Sequence, residues 1–142
     1  MVSPFPFATE SYVTEWATAL RQLQQLHPTA LVPGHGAVMH DTQYLGKVAD
    51  VLESIAAQAR KRYTPGMTSD SLAAVVDVSP LADRFAHGDA FLQANFMAQM
   101  HLAVERMWQE LSGQWMAEGG TLAVGRTSPA HARSERRCLS TS

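Results

Sequence analysis

The stretch Thr29-Ala30-Leu31-Val32-Pro33-Gly34-His35-Gly36 carries the strongest local signals in the chain. Its apolar run is long enough for one buried strand, so we predict a strand over residues 29–32. Pro33-Gly34 predicts a turn directly after that strand. His35 then lies between two glycines, which have no Cβ and let the backbone come close to a bound ion. The stretch predicts a strand that presents a histidine on an open loop, although a tight turn that merely contains a histidine fits the same residues.

Amphipathic helices are predicted on both sides of this loop. Upstream, large apolar side chains recur at spacings of three and four residues, as on one face of a helix: Trp16, Leu20, Leu23 and Leu26. Downstream, we predict a helix of roughly 20 residues after Asp41 or Thr42, a short helix after Thr68 or Ser69, and a long helix after Gly88-Asp89. Residues 81–87 are interpreted as a connector or a single helical turn.

This order of motifs resembles the C-terminal half of the metallo-β-lactamase superfamily of zinc hydrolases. The likeness extends over about residues 3–111 and centres on Val32-Pro33-Gly34-His35-Gly36. In that family the histidine of this motif binds the second zinc ion, so the resemblance implies that His35 is a zinc ligand. It also implies an α/β fold, the C-terminal part of an αββα sandwich, mainly helical in this chain with one strand at residues 29–32.

The resemblance further implies zinc-dependent hydrolysis, in which a metal-bound hydroxide attacks an ester, thioester, amide or similar bond of a small-molecule substrate. A binuclear zinc site needs several ligands, but the principal metal motif of the family, His-x-His-x-Asp-His, does not occur in the sequence. The family pattern assigns one metal ligand in this chain, His35. It assigns no catalytic residue. We therefore expect the chain to be a portion of a larger hydrolase and to be inactive by itself.

Other possible metal ligands are explained without a metal. Asp41 is suited to capping the helix that follows the loop, and His40 is suited to a solvated or capping position beside it. His101 falls within the last long helix, where a half-buried or exposed position is expected. The sequence does not single out the remaining histidines, which are His27, His87 and His131.

Composition divides the chain into a folded part and a tail. The 142 residues are enough for one domain, and 46% hydrophobic with 17% charged residues is typical of a globular protein. Residues 1–117 carry 11 acidic and 7 basic side chains, net −4, whereas residues 118–142 carry 2 acidic and 4 basic, net +2. Because residues 118–142 have few large apolar side chains, we interpret them as a disordered tail that follows a domain at 1–117.

A non-catalytic helical interaction or oligomerisation module is the alternative class of function. Apolar helix faces that no sheet covers would pair with another chain or with a second copy, which allows self-association. Nucleic-acid binding is not expected, because the basic cluster Arg60-Lys61-Arg62 lies in an acidic domain and suits the end of a helix. No membrane partner is expected, since no apolar run approaches the ~18 residues of a membrane span. With a single cysteine, Cys138, and no visible secretory signal, we expect a cytoplasmic protein.

Overall fold

A computed structural model describes residues 8, 11–34 and 36–114 of the chain. Within these residues the chain forms five helices, which are α1 (Val13–Gln25), α2 (Gln43–Arg62), α3 (Ser69–Ala73), α4 (Ser79–Ala86) and α5 (Ala90–Ser112). The candidate ligand His35 and the tail predicted at residues 118–142 lie outside the described residues.

The three long helices confirm the predictions made from the apolar spacing. In α2 and α5 the apolar side chains at that spacing are buried: Leu45, Val48, Leu52, Ile55 and Ala59 in α2, and Phe96, Met100, Ala103 and Met107 in α5. Two predicted helix starts are confirmed as well. The Thr68 hydroxyl accepts a hydrogen bond from the Ser71 backbone nitrogen at 3.2 Å, and the Asp89 carboxylate accepts one from the Leu92 backbone nitrogen at 2.9 Å.

The predicted α/β fold is wrong, because the described residues form no sheet. In place of a strand at residues 29–32, Leu31 makes one isolated antiparallel bridge with Met39. Ala30 is exposed and the Val32 side chain is 81% exposed, so the apolar run is not buried as predicted. A strand needs a partner along its length, and here the chain turns back so sharply that a single residue pair meets. The expectation of an αββα sandwich is corrected with it.

The interpretation of residues 81–87 as a connector or a single helical turn is corrected, since residues 81–86 belong to α4, a helix of 8 residues and so about two turns. Pro80 lies in the first turn of this helix, where its missing N–H group costs no hydrogen bond. Ala82 and Phe85 are buried on the inner side. His87 ends the helix in the left-handed conformation, with φ of 49°. Only His87 and the residues after it connect α4 to α5.

The apolar core lies around α2, against which α1 and α5 pack, while α3 and α4 pack on α5. Phe96 of α5 is fully buried, and its ring stacks on that of Phe85 from α4 at 5.1 Å between ring centres. The predicted apolar face of α1 is only partly used. Leu20 is buried, whereas Leu23 and Leu26, nearer the loop, are 42% and 74% exposed. No helix in the described part of the chain is both long and apolar enough to cross a membrane.

Candidate functional site

The loop that contains His35 leaves the end of α1 and returns to the start of α2, and a backbone bridge closes its base. The Leu31 backbone nitrogen donates to the Met39 carbonyl oxygen at 2.7 Å, and the Met39 nitrogen donates to the Leu31 carbonyl oxygen at 2.9 Å. His35 is the central residue of the enclosed segment 32–38. Gly36 next to it has φ of 107°, a conformation that a residue with a Cβ rarely adopts. The bridge and this glycine together fix where the chain reverses.

The side chains on this loop divide into an inner and an outer set. Leu31 is partly buried against the core. Its neighbour Val32 and the facing Val38 are 81% and 48% exposed. This alternation is expected where two extended segments meet, because successive side chains point to opposite sides. Val32 and Val38 therefore form an exposed apolar border on the loop. Leu23 and Leu26, in the segment before the loop, are exposed as well.

A side-chain hydrogen bond ties the helix before the loop to the helix after it. The Gln24 side-chain amide nitrogen of α1 donates to the carbonyl oxygen of Thr42, the residue that precedes α2, at 3.2 Å. Arg21 donates through Nη1 to Gln24 Oε1 at 3.1 Å and so orients the amide. This contact is not predictable from the spacing of the apolar residues. One signal for it was available, since Gly46 within the predicted helix suggests a close approach by another group.

Arg21 also joins α1 to α2 through carboxylates. Its guanidinium donates to both Glu53 carboxylate oxygens, at 2.8 and 2.6 Å, and to Asp50 at 2.6 Å. The second oxygen of Asp50 accepts from Arg84 of α4 at 2.6 Å. The bonds with Glu53 and Asp50 raise the pKa of Arg21, and the Arg21 bond lowers the pKa of Glu53. Burial by itself would raise the pKa of Asp50, but the bonds from the two arginines outweigh it and lower that pKa.

The other candidate residues, as far as the structure describes them, do not assemble into a site. His40 is exposed directly after the bridge residue Met39. The Asp41 carboxylate accepts a hydrogen bond from the backbone nitrogen of Gln43, the first residue of α2, at 2.9 Å, but the residue directly before α2 is Thr42, whose side chain makes no capping bond. His101 is exposed on α5, and the basic cluster Arg60-Lys61-Arg62 is exposed in the last turn of α2.

Among the described residues, no three histidine, cysteine, aspartate or glutamate side chains lie together as a metal ion would require. A zinc ion takes four ligands in a structural site and at least three from the protein in a catalytic one. The described residues therefore do not fit a complete zinc site.

Elsewhere on the surface, a shallow depression of about 320 Å³ lies along the N-terminal half of α1. It is lined by Ser11, Tyr12, Glu15, Trp16 and Ala19. One carboxylate among apolar and hydroxyl groups does not form a catalytic arrangement, because acid–base or nucleophilic chemistry needs a second positioned group.

Comparison with known proteins does not identify a relative: no family model, no curated protein and no solved structure matches the chain. The functional assignment accordingly depends on the sequence pattern around His35 and on the geometry of the loop that surrounds it.

Proposed function

We propose that the chain is part of a zinc-dependent hydrolase and that His35 supplies one of its zinc ligands. The observation that supports the proposal is that the motif, residues 32–36, falls in sequence within the segment 32–38, whose ends are joined by the bridge between Leu31 and Met39. The motif resembles the late metal motif of metallo-β-lactamase-like enzymes. A short closed loop with glycine on both sides of the histidine in sequence would restrict the backbone without adding side-chain bulk next to a metal ligand.

The remaining zinc ligands in this proposal belong to residues outside the described part of the chain. Bound zinc would supply a hydroxide at neutral pH, because it lowers the pKa of its water to about 7. The role of this chain is narrower: it holds one imidazole, on a loop fixed between two packed helices. The substrate class is a small molecule with an ester, thioester, amide or similar bond.

The proposal is tested most directly by the coding DNA upstream of Met1. An in-frame His-x-His-x-Asp-His sequence there would support a hydrolase of which this chain is a portion. The longer product would then be expressed, and its zinc content measured by atomic emission for the native protein, His35→Ala and the control His40→Ala. We expect His35→Ala alone to lose zinc. An in-frame stop codon directly before Met1, or full zinc content in His35→Ala, would contradict the proposal.

A second candidate function is a non-catalytic helical module that associates with a second copy of itself. The observation that favours it is that four apolar side chains in the last part of α1 and the loop after it are exposed, which are Leu23, Leu26, Val32 and Val38. Exposed apolar groups of this kind are typical of association surfaces. The two functions differ in their requirement for His35, since only the hydrolase needs its imidazole.

A further inference from the structure

A continuous set of hydrogen bonds leads from the middle of α2, across α1, to Thr42, the residue that precedes α2. Arg21 is held on α2 by Asp50 and Glu53. Its Nη1 then donates to Gln24 Oε1 at 3.1 Å, which leaves the Gln24 amide nitrogen to donate to the Thr42 carbonyl oxygen at 3.2 Å. Arg21 thus sets the orientation of the Gln24 amide, and the Gln24 amide nitrogen donates to Thr42.

Gly46 provides the space that this contact needs. A Cβ at position 46 would lie 2.8 Å from the Gln24 amide nitrogen, closer than a carbon and a nitrogen can approach. The Gln24 side chain is flexible, so it would move aside and lose the bond to Thr42 while the helices kept their places. Glycine is otherwise a poor residue within a helix. Its position in α2 is therefore explained by the approach of Gln24.

We propose that Gln24 is a positioning residue for the His35 loop. The bond to Thr42 connects the last turn of α1 to the residue that precedes α2. The segment that contains the His35 loop, residues 26–41, lies between the two bonded residues in sequence. Within that segment the Leu31–Met39 bridge joins the two sides of the loop close to His35 in sequence. The Gln24–Thr42 bond joins the two ends of the segment. The inference rests on the proposed function of His35, because a metal ligand must be held within about 0.5 Å of its working position.

The test measures amide hydrogen exchange at Leu31 and Met39 in the full chain, with the α2 amide of Leu52 as the core reference. Gln24→Glu keeps the side-chain length and the acceptor for Arg21, but its carboxylate cannot donate to Thr42. Gln22→Glu, at an exposed position on the same helix, is the control for the added charge. We expect exchange at Leu31 and Met39 to be about five-fold faster in Gln24→Glu, the effect of one neutral hydrogen bond, and unchanged in Gln22→Glu.

Gly46→Ala gives a test with opposite expectations. Alanine is the better helix former, so a purely structural role for Gly46 predicts slower exchange throughout α2. The positioning role predicts faster exchange at Leu31 and Met39, because the alanine Cβ displaces Gln24. Unchanged exchange at Leu31 and Met39 in both variants would overturn the inference, as would equal acceleration at Leu52.

A zinc titration separates this inference from the proposed function. The imidazole signals of His35 are followed by NMR while zinc chloride is added to the longer product described above. The Gln24→Glu variant is titrated in parallel. Faster exchange at the Leu31 and Met39 amides in Gln24→Glu supports the positioning role, whether or not zinc binds His35. His35 signals that zinc leaves unperturbed would contradict the proposed hydrolase function but not the positioning role. Zinc binding at His35 with bridge exchange unchanged in Gln24→Glu would contradict the positioning role alone.

Discussion

The Glu110 carboxylate, near the end of α5, accepts a hydrogen bond from the backbone nitrogen of Val13, the first residue of α1. Its other oxygen accepts from the Thr14 hydroxyl at 3.2 Å. The first N–H groups of a helix have no partner within the helix. The residue before α1 is Tyr12, whose side chain makes no capping bond to α1. A carboxylate from a distant helix therefore supplies the cap, with a negative charge at the positive end of the helix dipole.

Removal of this carboxylate should destabilise the packing of α1. We expect Glu110→Ala to lower the free energy of unfolding by about 1–2 kcal/mol, the range for loss of a helix cap. Glu105→Ala is the matched control, because Glu105 is an exposed carboxylate on the same helix. Thermal unfolding followed by circular dichroism measures both. Equal melting temperatures for the two variants would show that the bond to Val13 does not stabilise the fold.

This cap illustrates which parts of the fold the sequence predicts. Local signals suffice for the start of α3 at Thr68 and of α5 at Asp89, because each cap lies within three residues of its partner. The start of α1 is not readable in this way, since Glu110 is almost the whole domain away in sequence. The predicted strand fails for a related reason: strand formation depends on partners that the local pattern of residues 29–32 does not specify.

For the candidate site, too, the sequence predicted the local features but not the contacts between distant residues. The bend at Gly34 and the exposure of the described residues around it agree with residue types that have strong local preferences for loops. The contact between Gln24 and Thr42 depends on how α1 lies across α2, which no local pattern specifies. A glycine at position 46 indicated a close approach, but the sequence did not identify the group that approaches.

Acid should weaken the connection between α1 and α2. The pKa values of Asp50 and Glu53 are lowered in the folded chain, so the unfolded chain binds protons more readily than the folded one. Their contribution to stability is therefore complete above about pH 5 and is lost as the pH falls below about 4. Both carboxylates are more than a third exposed, which limits each ion pair to about 1 kcal/mol or less.

Asp50→Asn provides the check on this pH dependence. We expect the variant to be slightly less stable at pH 7 and to lose less stability than the native chain between pH 6 and pH 3.5. Asp83→Asn, at an exposed position on α4, should leave the pH dependence unchanged. The measurement is urea unfolding across this range. A native pH dependence in Asp50→Asn would exclude a contribution from its bonds to Arg21 and Arg84.

Tyr44 presents a buried hydroxyl that makes no hydrogen bond with the described part of the chain. Its ring meets that of Phe85 edge-on at 6.5 Å, and burial raises the pKa of the phenol. Because a buried polar group without a partner costs free energy, Tyr44→Phe should stabilise the chain by about 1 kcal/mol. Tyr63→Phe, at a partly buried position, is the comparison. A lower melting temperature for Tyr44→Phe in thermal unfolding would indicate that the hydroxyl does have a partner.

The exposed apolar side chains at the loop end of α1 should cause the isolated chain to self-associate. Leu26 is 74% and Val32 is 81% exposed, and burial of a side chain of this size contributes about 1.5–3 kcal/mol. Two such residues from each copy, together with Leu23 and Val38, would give several kcal/mol toward association. That is comparable with the whole stability of a small domain. Static light scattering on a dilute sample, with a hydrophobic dye titrated in parallel, measures the effect.

The double variant Leu26→Gln with Val32→Thr tests whether this surface is responsible. We expect it to shift the scattering mass toward the monomer and to reduce dye binding, with the melting temperature nearly unchanged because both side chains are already exposed. Phe91→Gln is the control, since Phe91 is 76% exposed on α5 and outside this surface. A monomeric native chain that ignores the dye and unfolds cooperatively would contradict association and favour an autonomous helical domain. A monomer produced only by Phe91→Gln would place the contact on α5 instead.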